Sequence, residues 1–494
     1  MAEATLYATS GNTFAAGTFD AILKEFYLGP VQDQLNQEVF VIDTFEKAVV
    51  DWNGKHCIVP VHTSRNSSAS AANGFVADNG NLPDAETQTY KSLNIKAKFQ
   101  YGRFSVTGPA IAAAGKGSKN SFVSYVDAEM NALVDDVKNT ANKTAISGGR
   151  VIGFLSSRAT TGVNTGSTGY DAPAGTDATN DFHFDGDWDA LAGVVNGTPS
   201  TWQRVQLYRM DTYAEIVSDP ADTGVGNDNP GENATAIDIA ITDASTAGSY
   251  GPTTGLIQMH AVGTHTGVSF STIDVAAPYS IAVAIHDTVS SLDHANAVNT
   301  RGFQSDANVQ PTGIFGNLAD PVHFGQNRTD ASGESSLQAT IQTSDTGTTD
   351  GTRAALTVER MQGMMDEIKK ASGDDVDMIL CSPLQRQVYT GLIGQSIQSD
   401  ASKATNGDGG FLSLSFAGVP IQASQDVSNG MMIFLNTSTW KLCELEPGGF
   451  ADLDGNVLSR ASGKDAYEGY YRWYWNLVCL KPGANGILTG IPLS

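Results

Sequence analysis

Positive charge is scarce in this chain: 29 lysines and arginines face 53 aspartates and glutamates, a net of −24 over 494 residues. That balance repels phosphate and opposes any sequence-independent grip on nucleic acid. Cysteine is sparser still. Cys57, Cys381, Cys443 and Cys479 stand singly, with no CxxC pair. Disulfides stay open, but runs such as "HCIVPV" and "NLVCL" read first as strands with a small core residue in them. No window approaches about 18 consecutive apolar residues, so no helical membrane span is expected. The first residues, "MAEATLYATSG", have neither a basic start nor an apolar run, so no secretory signal is expected and the protein reads as soluble and made inside the cell.

Catalytic signatures are missing as well. The chain has no HExxH, no GxSxG, no P-loop and no GxGxxG opening a helix. "AGKGSKNS" places Gly117 where a phosphate loop needs Ser or Thr. His260 and His265 form the best-spaced histidine pair, though a turn or an exposed strand accounts for them equally. "DGDWD" (Asp185, Asp187, Asp189) and "DLDGN" (Asp452, Asp454, Asn456) resemble the opening of a calcium loop. Both lack the bidentate Glu at loop position 12 that supplies affinity, so hairpin turns are the plainer reading. No catalytic residue, metal site or cofactor is expected, and the chain does not read as an enzyme.

What is present is glycine, 52 residues of it, with 40% hydrophobic and only 17% charged residues. This mixture favours strands and loops over long surface helices, at a length that allows two or three domains. Charge then divides the chain. Residues 159–350 hold 23 acids against Arg204, Arg209, Arg301 and Arg328, and no lysine occurs between Lys143 and Lys369. Short alternating runs such as "WQRVQLYRM" and "YSIAVAIHD" make this acidic stretch a β-rich insertion, although 181–217 could belong to the surrounding domain.

Before it, "TFDAILKEFYLG" reads as a helix stopped at Gly29 and Pro30, and "HCIVPVH" as an edge strand because of Pro60. Phe122, Val126, Met130, Leu133, Val137 and Ala141 recur at helical steps, giving a helix of about 26 residues, roughly 39 Å long. After the insertion, "LTVERMQGMMDEIKKASG" is a helix capped by Thr357 and stopped by Gly373. "VDMILC" is a strand, and "SPLQRQVYTGLIG" a helix with Ser382 at the cap and Pro383 in its first turn. "GVPIQAS", "GMMIFLN", "WKLCELE" and "GYYRWYWNLVCLK" are strands, the last apolar on both faces and therefore central.

One stretch stands apart. "KSLNIKAKFQYGRFSVTG" alternates strictly, with Leu93, Ile95, Ala97, Phe99 and Tyr101 on one face, and changes phase after Gly102. From Thr87 to Val126 there is no acid, against Lys91, Lys96, Lys98, Arg103, Lys116 and Lys119. A single strand from Tyr90 to Val106 would span about 50 Å and needs a surface to cover its apolar side. That surface is either the strand's own domain or another copy of the chain. The strand is thus expected to turn itself over at Gly102.

The order of these parts resembles the major capsid protein of tailed bacteriophages, of the Hong Kong 97 type. "KTAISGGRVIGFLSS" is similar to that family's turn after its spine helix, "VDMILCSPLQRQVYTGLIG" to its strand–SP–helix unit, and "FAGVPIQASQDVSNGMMIFLNTSTWKLCE" to its G-x-P-V strand pair. The resemblance implies an α+β HK97-like capsid fold: an N-terminal arm at 1–50, an E-loop hairpin at 51–110 and the P-domain spine helix at 111–158. The acidic β-rich insertion domain (159–350), an A domain (351–440) and C-terminal P-domain strands (441–494) follow.

The implied function is self-assembly into hexamers and pentamers of an icosahedral phage head around double-stranded DNA. The implied partners are further copies, a separate scaffolding protein, a portal and a decoration protein, without a membrane. The implied location is the virion, after synthesis in the host cytoplasm. The expected subunit-interface residues are Lys91, Lys96, Lys98, Gly102 and Arg103. An encapsulin-type nanocompartment shell is the nearest alternative, and a β-rich adhesin or glycan-binding protein one of another class. Some family members join a Lys to an Asn of another subunit, and Lys91, Lys96 and Lys98 lie on the relevant element, but no motif assigns an Asn partner. Denaturing gels of mature particles test the crosslink: bands of single-subunit mass alone would end the idea.

Overall fold

The computed structural model describes residues 40–48, 52, 54–66, 75–76, 78, 87–109, 119–158, 181–188, 203–214, 237–239, 255–258, 280–285, 310–329, 335–343, 354–394, 414–452, 458–460 and 463–492. The expected helix at 18–28, His260, His265, Asp189, Asp454 and Asn456 lie outside them.

The described chain opens with α1 (Phe40–Thr44), β1 (Glu46–Ala48), β2 (His56–Ser64), β3 (Thr89–Lys96) and β4 (Lys98–Thr107). The long helix α2 (Lys119–Ser147) leads into β5 (Val151–Arg158), β6 (Asp181–Gly186), β7 (Gln203–Arg209), β8 (Ile237–Ile239), β9 (Leu256–Gln258) and β10 (Ile281–Ile285). Next come α3 (Ile314–Ala319), β11 (Val322–His323), β12 (Gln326–Asn327) and β13 (Thr340–Thr343). The C-terminal part holds α4 (Val358–Ser372), β14 (Met378–Cys381), α5 (Pro383–Gly394), β15 (Ser415–Phe416), β16 (Val419–Ala423) and β17 (Met432–Leu435). It ends with β18 (Trp440–Phe450), β19 (Ser459–Arg460), β20 (Ala466–Cys479) and β21 (Gly486–Thr489). Among the described residues, no helix is long and apolar enough to cross a membrane.

The chain forms two compact units. The larger comprises Glu38–Tyr101, Lys138–Gly449 and Arg472–Ser494. Its main sheet runs β13-β21-β17-β14-β16-β15, with β13 parallel to β21 and β14 parallel to β16. The amphipathic α4 lays Met361, Met364 and Ile368 into a core with Ile379, Phe434 and Leu488. Thr357 caps α4 by accepting the Arg360 N–H at 3.2 Å, and Gly373 closes it at φ +79°. Ser382 caps α5 in the same way, accepting from the Gln385 N–H at 3.2 Å.

A second sheet runs β8-β7-β10-β5-β6-β9 and is antiparallel throughout. Here the acidic stretch is β-rich, but its strands share a sheet with β5, which precedes it. At its other end, β13 pairs with β21 in the main sheet. Within the smaller unit, which comprises Met1–Gln37, Gly102–Val137 and Phe450–Tyr471, Phe104 meets Phe450 edge-on at 6.2 Å, and Phe450 meets Tyr471 at 5.3 Å.

One expectation is corrected. The alternating stretch is not one strand but two, in different sheets: β3 pairs with β2, and β4 with β20. Buried positions are odd in β3 (Leu93, Ile95) and remain so at Ala97, then become even in β4 (Phe104, Val106). The change of face therefore falls between Ala97 and Lys98, not at Gly102. The Ala97 N–H donates to the Lys55 carbonyl at 3.1 Å, fixing the corner. Gly102 has a different reason to be glycine. A Cβ there would stand 2.9 Å from Leu133 Cδ1 and Val137 Cγ2 on α2. Gly102→Val should therefore destabilise the subunit itself by about 1–3 kcal/mol through overpacking. Chemical denaturation of the unassembled subunit measures this; an unchanged midpoint would contradict it.

Candidate assembly site

The β2–β3 hairpin alternates because one of its faces is covered. Cys57, Val61, Leu93 and Ile95 pack with Leu337, Cys443 and Val478. Complete burial of Leu93 and Ile95 contributes about 1.5–3 kcal/mol each. The apolar side of this strand is thus covered by the subunit's own larger unit. A short second hairpin holds the other edge of β3. Phe324 and Gly325 make its turn, both at positive φ (45° and 91°), and the Phe324 carbonyl accepts the Asn94 N–H at 3.0 Å. Gln326 Nε2 adds a bond to the Ser92 carbonyl at 2.8 Å.

The outward face is different. Ile58 and Tyr90 are 60% and 63% exposed, and Phe75, in the connection between β2 and β3, is 83% exposed. Beyond the corner at Ala97, Phe99 and Tyr101 also turn outward. Both rings meet Tyr474 edge-on, at 4.9 and 5.7 Å, and the Tyr101 and Tyr474 hydroxyls lie 2.9 Å apart. Lys55 Nζ sits 5.7 Å from the centre of the Phe99 ring.

The inward positions of early β4 are polar. Gln100 Oε1 accepts from Trp475 Nε1 at 3.0 Å, and Asn476 Nδ2 donates to the Lys96 carbonyl at 2.8 Å. Lys98 points into a cleft of about 370 Å³ lined also by Lys96, Arg150, Thr312, Asp320, Val322 and Asn476. Burial, together with the neighbouring Lys96, lowers the Lys98 pKa to about 8.

The remaining expected interface residues fall as follows. Lys91 is half-buried on β3, opposite Val61. Arg103, in the smaller unit, pairs with Glu468 of its own chain at 2.5 Å. Gly102 lies against α2.

The cleft stands on a buried network that sequence reasoning missed. Arg328 is fully buried, yet its guanidinium donates to the carbonyls of Asn317 (2.7 Å), Leu318 (2.9 Å) and Leu337 (3.3 Å) and to His323 Nδ1 (3.0 Å). Since Nδ1 accepts, Nε2 carries the proton and donates to the Cys479 carbonyl at 2.9 Å. Burial, and then the Arg328 charge, push the His323 pKa well below its usual 6.5. The only signal in the sequence was position: Arg328 is one of just four basic residues in the acidic stretch.

The two described carboxylates of "DGDWD" are structural. Asp185 accepts the Gly490 N–H at 3.0 Å and Asp187 the Ser147 hydroxyl at 2.7 Å. Among the described residues no cluster of metal-ligating side chains occurs. All four cysteines are buried and free, and burial pushes Cys381, Cys443 and Cys479 up to about 12.

Residues 289–492 match the family model of the SU10 major capsid protein. No curated protein matches the chain in sequence. Of the solved structures, the cyanophage A-1(L) capsid asymmetric unit is 11% identical with a TM-score of 0.49, over 94% of this chain and 95% of that one. The Mycobacterium phage Adephagia is 10% identical with a TM-score of 0.37, over 97% and 98%. The holo-SrpI encapsulin of Synechococcus elongatus PCC 7942 is 16% identical with a TM-score of 0.24, over 37% of this chain and 57% of that one. The family match is confined to residues 289–492, and over that C-terminal part the chain is similar to a phage major capsid protein.

His323 makes folding pH-dependent. Its folded pKa lies below its unfolded value, so the unfolded chain binds the extra proton first and stability falls as pH drops below about 6.5. The loss from this residue grows as pH falls further below that value. Denaturant titrations of wild type and His323→Gln across that range should show a shallower slope in the variant; parallel slopes would refute the assignment.

Proposed function

We propose that the β2–β3 hairpin is the arm by which each subunit lies across a neighbour within hexamers and pentamers of an icosahedral head. The observation that carries this is the hairpin's division of labour. One face is anchored in its own subunit, while Ile58, Tyr90 and Phe75 are left exposed on an element too small to need them. Lys96, exposed at the end of β3, lies on the same element and suits an acidic neighbour. Gly102 and Arg103 remain proposed interface residues, Arg103 keeping a largely exposed side chain beside its own-chain partner Glu468. The acidic β-rich stretch is proposed as an outward decoration of the capsomer.

The shell encloses double-stranded DNA without gripping it. A net charge of −24 suits confinement, since packaged DNA must later leave freely. A separate scaffolding protein, a portal and a decoration protein are the proposed partners, and the host cytoplasm the proposed site of synthesis.

Negative-stain electron microscopy of the expressed protein, alone and with candidate scaffolds, is the direct test. Closed shells or capsomers are expected. A folded monomer under every condition would overturn the reading. Particles holding a cargo enzyme instead of nucleic acid would replace the phage head with an encapsulin-type compartment.

A further inference from the structure

We propose that the β11–β12 turn is an acid-sensitive clasp on the arm: protonation of His323 parts the turn from Arg328 and frees the outer edge of β3. The clasp regulates the arm proposed above and rests on that reading for its effect on shells. Its opening is a property of the single subunit.

Three observations carry it. The first is the bond between His323 and Arg328. His323 Nδ1 stands 3.0 Å from Arg328 Nη2, and a guanidinium nitrogen only donates, so the bond exists while Nδ1 is unprotonated. A proton there removes the acceptor and sets a second buried positive charge against the first. Arg328 keeps its place when this bond is lost, because the carbonyls of Asn317, Leu318 and Leu337 still hold it. The element that moves is therefore the turn that carries His323.

The second is what the turn holds. His323 pairs with Gln326 across the β11–β12 ladder. The Phe324 carbonyl between them accepts the Asn94 N–H at 3.0 Å, and Gln326 Nε2 donates to the Ser92 carbonyl at 2.8 Å. Both bonds fall on the edge of β3 that is turned away from β2, so the turn grips the arm's outer side.

The third is poise. Phe324 sits at φ +45°, a left-handed backbone that a bulky side chain adopts only under constraint from its surroundings. Val322, His323, Phe324 and Gly325 all line the cleft of about 370 Å³, so the turn stands beside open space. A proton reaches His323 from that space, and the turn has room to move into it.

The charged and titratable groups around His323 set the sign. Arg328 touches it, Lys96, Lys98, Arg150 and Asp320 stand around the cleft, and Tyr213 and Cys479 lie beside the guanidinium. Burial, and then Arg328, hold the His323 pKa well below 6.5 while the turn is closed. Opening restores the ordinary value, so the open turn binds the proton first. Below about pH 6.5 the balance shifts toward the open turn by about tenfold per pH unit, the limit for one proton.

Hydrogen exchange of the unassembled full-length protein from pH 7.5 to 5, corrected for the intrinsic rate at each pH, measures the clasp. In wild type, protection in β3 should fall about tenfold per pH unit below 6.5 and change little with low urea, the mark of local opening. Helix α4 should stay better protected and respond steeply to urea. His323→Asn places a non-titrating acceptor oxygen near the position of Nδ1 and should keep β3 protection level across the range. Gln326→Ala leaves His323 in place and should raise β3 exchange at pH 7.5 about fivefold. The wild-type profile and Gln326→Ala decide the question even where His323→Asn does not fold. Exchange of β3 and α4 together, with one urea dependence at every pH, would overturn the proposal, because the arm would then leave only by global unfolding. So would β3 protection that is constant from pH 7.5 to 5, or that falls equally in His323→Asn. Shells that survive pH 5 while β3 of the free subunit opens would sustain the clasp and bring down the arm reading instead.

Discussion

The Arg328 guanidinium, fully buried and bonded to no carboxylate among the described residues, is the constraint around which the larger unit is arranged. Burying an unpaired cation costs several kcal/mol unless its donors are satisfied. Arg328 satisfies its two terminal nitrogens largely with backbone, while its Nε has no hydrogen-bond partner among the described residues. Two of its acceptors, the Asn317 and Leu318 carbonyls, belong to the last turn of α3, which lacks intrahelical partners and favours positive charge. Tyr213 lies under the guanidinium at 5.4 Å and donates its hydroxyl to the Leu318 carbonyl at 2.6 Å. Fixing one side chain thus fixes a helix end, the β11–β12 turn and the turn that follows β7 together.

From there order passes outward through bonds that each have a defined partner. Asn317 donates to the carbonyl of Leu477 and accepts from the N–H of Cys479, and His323 reaches the Cys479 carbonyl, which ties this floor to β20. The β11–β12 turn then holds β3, and β3 carries the arm. Surface pairs such as Lys47 with Glu444 contribute little beside this. Asn142 plays a similar part elsewhere, accepting the N–H groups of Val41 and Ile42 and donating to Asp426 at 2.7 Å.

The elements legible in the sequence were those whose cause is local. Thr357 and Gly373 bound α4 because caps act within a few residues, and the repeat from Phe122 to Ala141 marked α2 because helical faces recur every turn. The doubly apolar run at the C-terminus read correctly as a central strand, β20, and Pro60 correctly marked an edge. Alternation in Leu93 and Ile95 revealed that one face is covered, but not by what. The covering residues Leu337, Cys443 and Val478 lie hundreds of positions away. Lys98 could not be seen as a cleft residue for the same reason, since its surroundings come from Arg150, Asp320 and Asn476. Charge alone suggested Arg103 for an interface, and its bond to Glu468 is invisible to any count.

The corner at Ala97 makes the number of residues in this segment matter by parity. Side chains along β4 point up or down according to whether an odd or an even count separates them from β3. Removing one residue at the corner would turn every side chain of β4 over, sending Phe104 and Val106 to solvent and Phe99 and Tyr101 inward. Removing two would shorten the segment but keep its sense. Drift in length is therefore filtered here in steps of two.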